Sequence, residues 1–528
     1  MALMAAGSLA GPCCPPGRAQ SPLHSTAVRH QQQGVQFLNQ HNLEKALEEF
    51  RAAVAEAPLD AASHDDLGIA LVESGRNEEG VKEFERAIRL ADDFSPAHFH
   101  LALAYDRLGR ASEAISEYEA TLRLEPGAID ARYALSADCW KRGDWDGAIQ
   151  LLRQIIKKNP PFAGEAHYNL GLELKQTGNI DEAAAELKDA VKLQPDSAKF
   201  QLGLSQILTE KLDFDGALAA AREAVRLAPD NPEAYYDGAE ALRLKGDLDN
   251  AQAQLEQVLK LDPGNALAHR QLGLVLRQKG SYEAAASQLQ AAARENPEDA
   301  EVHYYLGSVL LRLNETDRAL AQLTEAVRLN PYDSATLITL AGALNKVGKG
   351  PEAQEDLQKA QALDEMKANA GRSRILLASA AAHSERNEID AALHDLRQAV
   401  SLSPEYPEAH FQLALALERK GAPAADVEKV LQRVIELKPD DAQAHLQLGL
   451  WLARSGPKDE ASKEFRRALD LAPSLVEAHR ALGKAAQAAH NWPAAVSEFG
   501  AVLVWKEDDG EARRDLSIAL ARRKQPPR

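Results

Sequence analysis

Apolar and small residues recur along this chain with two nested periods, one of about 3.6 residues and one of 34 residues. In the shorter period, pairs such as Leu67 and Leu71, Leu101 and Tyr105, Leu272 and Leu276, or Leu306 and Leu310 flank a small residue and share one helical stripe. In the longer period the pattern returns fourteen times between Ala27 and Asp509. Its eighth position is always small: Gly34, Gly68, Ala102, Ser136, Gly171, Ser205, Ala239, Gly273, Gly307, Ala341, Ala380, Ala414, Gly449 and Gly483. Alanine stands near its twentieth, as in Ala46, Ala114, Ala148, Ala183, Ala251 and Ala319. Two antiparallel helices approach to about 8–10 Å only when the side chains at their crossing are small. Prolines such as Pro58, Pro126, Pro229, Pro263 and Pro331 close the second helix, because proline has no N–H to continue it. Short polar turns, among them Lys245-Gly246-Asp247 and Thr177-Gly178-Asn179, separate the two helices. The pattern predicts two helices per copy, twenty-eight in the fourteen copies, and no strands.

The register breaks at three places. Pro161-Phe162-Ala163 adds one residue between repeats four and five, and Gly421-Ala422-Pro423 lengthens the turn of repeat twelve by one. Ala368-Asn369-Ala370-Gly371-Arg372 adds five between repeats ten and eleven, where Glu365 also replaces the closing proline. A bend or seam is expected near 366–372. The expected organisation is a leader over 1–26, repeats one to ten over 27–367, the insertion at 368–372, and repeats eleven to fourteen over 373–509. Residues 510–528 supply a helix that caps the apolar face of the last repeat, followed by a basic tail.

By its small, alanine and proline positions, in register over about nine-tenths of its length, the chain resembles the tetratricopeptide repeat family. The resemblance implies an all-α, right-handed α-solenoid of about 14 helix-turn-helix repeats with a C-terminal capping helix. It also implies a non-enzymatic scaffold or adaptor that binds protein or peptide in a concave groove, with no cofactor. The RNA-binding pentatricopeptide family has a similar period, but the proline placement and the acidic balance argue against it. In the family the groove is lined from the second, fifth, ninth, twelfth and thirteenth positions of each first helix. Here those positions place Phe99, Tyr133, Tyr168, Tyr236, Tyr304 and Phe411 at the fifth. They also place Arg243, Arg270, Arg277, Arg312, Lys346, Arg419, Arg454, Arg480 and Lys484 in repeats seven to fourteen, against Glu240, Glu385 and Glu418. That excess favours an extended partner with acidic and apolar side chains; packing of the rings between repeats, and a solvated mixed-charge face, are the competing explanations. Acidic second positions such as Glu165, Glu233, Glu301 and Glu477 have a separate cause, the helix dipole at an N-terminus.

Two sub-types of the family fit poorly. The carboxylate clamp of chaperone-binding members needs Lys at the fifth position, and here that row is mostly aromatic or aliphatic. The arm of O-linked N-acetylglucosamine transferase carries an Asn ladder at the sixth, a row that reads Gln32, Asp66, His100, Ala134, Asn169, Gly203, Asp237, Gln271 and Tyr305 here. A detached targeting arm of that transferase, and an envelope component for polysaccharide or pilus export, remain the alternative functions.

The formal net charge of −18 disfavours nucleic acid and anionic membrane as partners, and no apolar window is long enough for a membrane span. Three cysteines make no disulfide framework: Cys139 reads as packing, and Cys13 and Cys14 lie in the leader. In that leader an apolar Met1 to Gly11, Pro15-Pro16 and Gly17-Arg18-Ala19 look like a signal peptide without its basic start. The protein is therefore either exported, for example to a periplasm, or cytoplasmic with an Ala/Gly/Pro leader. Its oligomeric state is open.

Nothing in the sequence assembles a catalytic or metal site. Nine histidines (His30, His64, His98, His167, His269, His303, His410, His445 and His479) share one repeat position. Equivalent residues of neighbouring repeats stand a helix-packing distance apart, too far for one ion. These rings are expected to pack near the start of the first helix with their nitrogens in water. The run Gly342 to Gly350 (GALNKVGKG) has the wrong spacing for a phosphate loop and follows no strand. Ser455 and Lys458 match an acyl-enzyme motif that lacks its other half, and Asn314-Glu315-Thr316 is a glycan acceptor only on a eukaryotic secretory route.

Overall fold

The computed structural model describes residues 22–158 and 160–523. The signal-peptide-like pattern, with Cys13 and Cys14, and the tail beyond 523 lie outside the described residues. Among the described residues there are twenty-eight α-helices, one short 3-10 turn at Pro160–Phe162, and no strand. The first helix, Pro22–Asn39, already begins in the stretch read as leader.

Each helix end has a local cause. Asp60, Asn265 and Asp333 cap first helices by accepting a backbone N–H from the first turn, and Asn42, Asp213 and Asp247 cap second helices. At the turn inside the repeat the chain crosses into the left-handed region. Glycine takes that place in most repeats, as at Gly246 with φ 89°, but His41, Leu212, Asn314, Asn387 and His490 take it in five others. The small eighth position works as predicted. A Cβ on Gly34 would stand 2.5 Å from the Phe50 ring, and one on Gly273 would stand 2.6 Å from Leu289 Cγ. The large side chain sixteen residues on fills the space that the glycine leaves.

The histidine row corrects an expectation, because its nitrogens are not left in water. In His64, His269, His303 and His479 the Nε2 atom lies 3.0–3.1 Å from the carbonyl of the proline six residues earlier, and Nδ1 reaches a Glu or Gln nineteen residues on. The ring thus clamps the preceding turn to the second helix of its own repeat. Arg132 and Gln201 occupy the same position and donate to Pro126 and Pro195. The position selects a donor that satisfies a carbonyl freed where the helix stops.

The insertion at 368–372 does not interrupt the helix around it. Gly350–Glu385 is one helix of 36 residues that fuses the second helix of repeat ten to the first of repeat eleven. With Glu365 in place of proline and only helix-compatible residues in the insertion, nothing interrupts the hydrogen-bond ladder. This fusion is why twenty-eight helices include the cap, where fourteen pairs and a cap would give one more.

Contacts divide the chain into two compact units elsewhere: Met1–Lys158 with Gly449–Arg528, and Asn159–Leu448. In the first unit the second helix of repeat fourteen, Trp492–Trp505, lies on the second helices of repeats three and four, Ala111–Leu124 and Trp145–Lys158. Trp505 is 1% exposed in a cluster with Tyr105, Ile115, Tyr118, Leu122 and Leu151. Its Nε1 donates to Glu119 Oε1 at 2.8 Å, and His479 Nε2 stands 3.4 Å from the same oxygen. Burial alone would lower the His479 pKa, but the Glu119 and Glu498 carboxylates outweigh it and raise the value to about 10. Buried Asp144 accepts from the backbone N–H and hydroxyl of Ser474 at 3.0 and 2.8 Å. The cap Gly510–Arg523 covers the other side of the same helix, burying Ala519 against Ala495, Val496 and Phe499. Among the described residues, the second unit is a run of repeats whose helices pack on their neighbours along the chain.

Candidate peptide-binding face

In the second unit, the first helices of repeats seven to ten are Pro232–Lys245, Ala266–Gln278, Ala300–Arg312 and Ser334–Lys346, and each touches the next. Seven of the residues singled out in the sequence lie on these four neighbouring helices: Tyr236, Arg243, Arg270, Arg277, Tyr304, Arg312 and Lys346. Phe411 lies on the same unit beyond the long helix, on Pro407–Lys420, and Tyr168 lies on Ala163–Gln176. Tyr133 belongs to the first unit, as do Arg454, Arg480 and Lys484, so the basic row of repeats seven to fourteen is shared between two units.

The aromatic residues are half-buried, and several pack between repeats. Tyr168 stacks on Phe200 of the next repeat at 5.1 Å, with Lys199 Nζ 4.4 Å from its centroid. The Tyr236 hydroxyl accepts from Gln271 of the next repeat at 3.3 Å. Tyr304 packs against a cluster that includes Leu323, Leu340 and Leu344, and lies 5.2 Å from Tyr305. Phe99, in the first unit, lies 6.1 Å from Tyr118. Burial raises the pKa of the Tyr168 and Tyr236 phenols, so both are neutral donors or acceptors at ordinary pH.

The cations divide into two kinds. Arg270 is tied to the next repeat, with Nη1 3.0 Å from Asp299 and 3.2 Å from Glu301. Arg480 and Lys484 are tied in the same way to Asp509 and Glu511. The acidic second position therefore does more than meet a helix dipole: it pairs with the fifth-position arginine of the repeat before it. Four others, all on the first helices of repeats seven to ten, are placed differently. Arg277 lies over the Tyr305 ring at 5.0 Å, and the Arg243 Nε is buried with no hydrogen-bond partner. Arg312 and Lys346 are exposed, and among the described residues no acid stands within ion-pair reach of Arg243, Arg277, Arg312 or Lys346.

Two residues of this face had been read only as members of the sixth-position row. Tyr305 supports Arg277 from the next repeat. Asp237 is 7% exposed, accepts from Gln206 at 3.1 Å, and is raised to about 7, chiefly by burial and with Glu240 and Glu233 adding to it. Their signal in the sequence was a polar or aromatic side chain at a position that turns toward the neighbouring first helix.

Models of the tetratricopeptide repeat match residues 32–93, 66–129, 107–170, 168–232, 236–293, 271–334, 382–421 and 428–476. No curated protein matches the sequence. Among solved structures, the chain is similar to a MamA fragment from Desulfovibrio magneticus RS-1, with 26% identity over 32% of this chain and 94% of that one, at a TM-score of 0.30. A thermophilic TPR protein of Thermus thermophilus is 25% identical over 34% of this chain and 98% of its own, with a TM-score of 0.30. Pseudomonas aeruginosa PilF is 19% identical over 38% and 97%, with a TM-score of 0.34.

Proposed function

Because the chain belongs to the tetratricopeptide repeat family, we propose that this protein-interaction scaffold binds an extended acidic and apolar peptide on the first helices of repeats seven to ten. The family is generally non-catalytic, and the reading needs no cofactor. The observation that carries it is the separation of the cations: Arg270 is neutralised within the fold, whereas Arg243, Arg277, Arg312 and Lys346 have no acidic partner among the described residues. Cations carried by four neighbouring first helices, in a chain whose net charge is −18, are complementary to a negatively charged segment. The half-buried rings of Tyr236 and Tyr304 supply apolar contact beside them.

Panning a random peptide display library on the full chain tests the reading. Enrichment of Asp- and Glu-rich peptides on the wild type, lost when Arg243, Arg277 and Arg312 are all changed to Glu, is the expected result. Enrichment of the same peptides by both proteins would refute it.

A further inference from the structure

We infer that the register of the partner is fixed by this face: it selects acidic side chains three residues apart in an extended chain. The inference rests on the acidic-peptide reading above and goes beyond it by stating the spacing. Each of repeats seven to ten presents one such cation: Arg243 and Arg277 at the twelfth position of the first helix, Arg312 and Lys346 at the thirteenth. The four helices lie side by side, each in contact with the next, so successive rungs stand about 8–10 Å apart. The one-position difference moves a side chain about 1.5 Å along its helix axis and turns it about 100° around that axis, a displacement that the long, flexible Arg and Lys side chains span.

An extended peptide advances about 3.3 Å per residue. Three residues therefore span about 10 Å, one rung, whereas two span about 6.6 Å and fall out of step after a single repeat. Side chains of a strand alternate between faces, so a strict β conformation would turn every second acid away. A chain with three residues per turn and about 3.1 Å rise keeps every third side chain on one face and still spans about 9 Å per rung. The bound peptide is accordingly expected in that left-handed extended form, with Asp or Glu at i, i+3, i+6 and i+9.

Two features hold the rungs in place. The Tyr305 ring of repeat nine lies 5.0 Å from the guanidinium of Arg277, which restricts where that charge can sit. The Arg243 Nε is buried, which anchors the inner part of that side chain and leaves its terminal nitrogens to meet a carboxylate. Arg270 adds no rung, because Asp299 and Glu301 occupy it. Glu240 lies three residues before Arg243 on the same helix and repels an acid placed out of step at the first rung.

Three labelled synthetic peptides of one composition test this by fluorescence anisotropy on the full chain. They carry four Asp residues at every third position, at every second position, or in one block. The expected result is that the three-spaced peptide binds about tenfold tighter than the other two, each correctly placed rung contributing within the range of an exposed ion pair. Added salt should shrink that preference. Arg277→Glu should abolish it, and a Lys placed in the peptide at the matching position should restore binding to that variant. Equal binding of all three peptides would overturn the register while leaving the acidic reading intact. No binding of any of them would overturn both.

Discussion

Asp237 shows how a single side chain on the candidate face couples stability to pH. Burial, with Glu240 and Glu233 nearby, raises its pKa from an ordinary carboxylate value to about 7. The folded chain therefore holds this proton more tightly than the unfolded chain does. Its contribution to stability is fully present below about 3.8, the unfolded value, and is lost as pH rises through 7. Asp237→Asn removes the charge and keeps an oxygen to accept from Gln206. The substitution should raise the melting temperature at pH 8, where it relieves at most about 4 kcal/mol, the cost of raising a carboxylate from 3.8 to about 7, and the advantage should disappear by pH 4. Thermal melts of both proteins across that range check it; an equal gap at every pH would show that the carboxylate is not strained. The sequence placed Asp237 at the sixth position but gave no means of seeing that Gln206, on the first helix of the preceding repeat, reaches it. The histidine row has the same lesson. Its recurrence was plain, yet its partners, a proline carbonyl and a Glu or Gln nineteen residues away, required the second helix to be in place.

At the scale of the element, most of the fold was legible, because each helix start, stop and crossing is written locally. Small crossing residues recur in every repeat and left-handed turns in most of them, and the helices follow them. The failure at 366–372 has an equally local cause. Five extra residues break the register of a repeat, but they break a helix only if one of them cannot be helical. Gly371 is the weakest of the five: a Cβ there would meet nothing within 4 Å, and its φ is not positive. Gly371→Ala should therefore stabilise Gly350–Glu385 by about 1 kcal/mol, the usual gain for that change inside an exposed helix. Circular dichroism during urea unfolding would show a higher midpoint. A lower midpoint would mean that this glycine serves a turn, as the sequence had led one to expect. The candidate cations divide along the same line. Their positions on first helices followed from the repeat, but the loss of Arg270 to Asp299 and Glu301 depended on the rotamers of three side chains in two repeats.

At the scale of the whole molecule, an array of repeats ordinarily behaves as a one-dimensional stack, in which a substitution is felt by sequence neighbours and fades with distance along the chain. The first unit departs from that rule. The indole of Trp505 donates to Glu119 across 386 residues of sequence, inside a shared apolar cluster. No periodicity could have announced this pairing, since an apolar run at the end of repeat fourteen says that something covers it and not what. The contact makes a specific demand. Trp505→Phe removes the N–H and leaves the Glu119 carboxylate buried with one donor fewer, and a buried carboxylate deprived of a donor is costly. Hydrogen exchange in Ala111–Leu124 should therefore accelerate when residue 505 is changed, although that helix lies eleven repeats away in the sequence pattern. A double-mutant cycle with Glu119→Ala should show the two changes coupled by about 1–3 kcal/mol, as for residues in direct contact. If Trp505→Phe alters exchange only within Trp492–Trp505 and its adjoining helices, repeat fourteen is an ordinary end of a stack, and Glu119 must find its donor elsewhere. The two explanations predict protection changes in different helices, so a single exchange map of the full chain separates them.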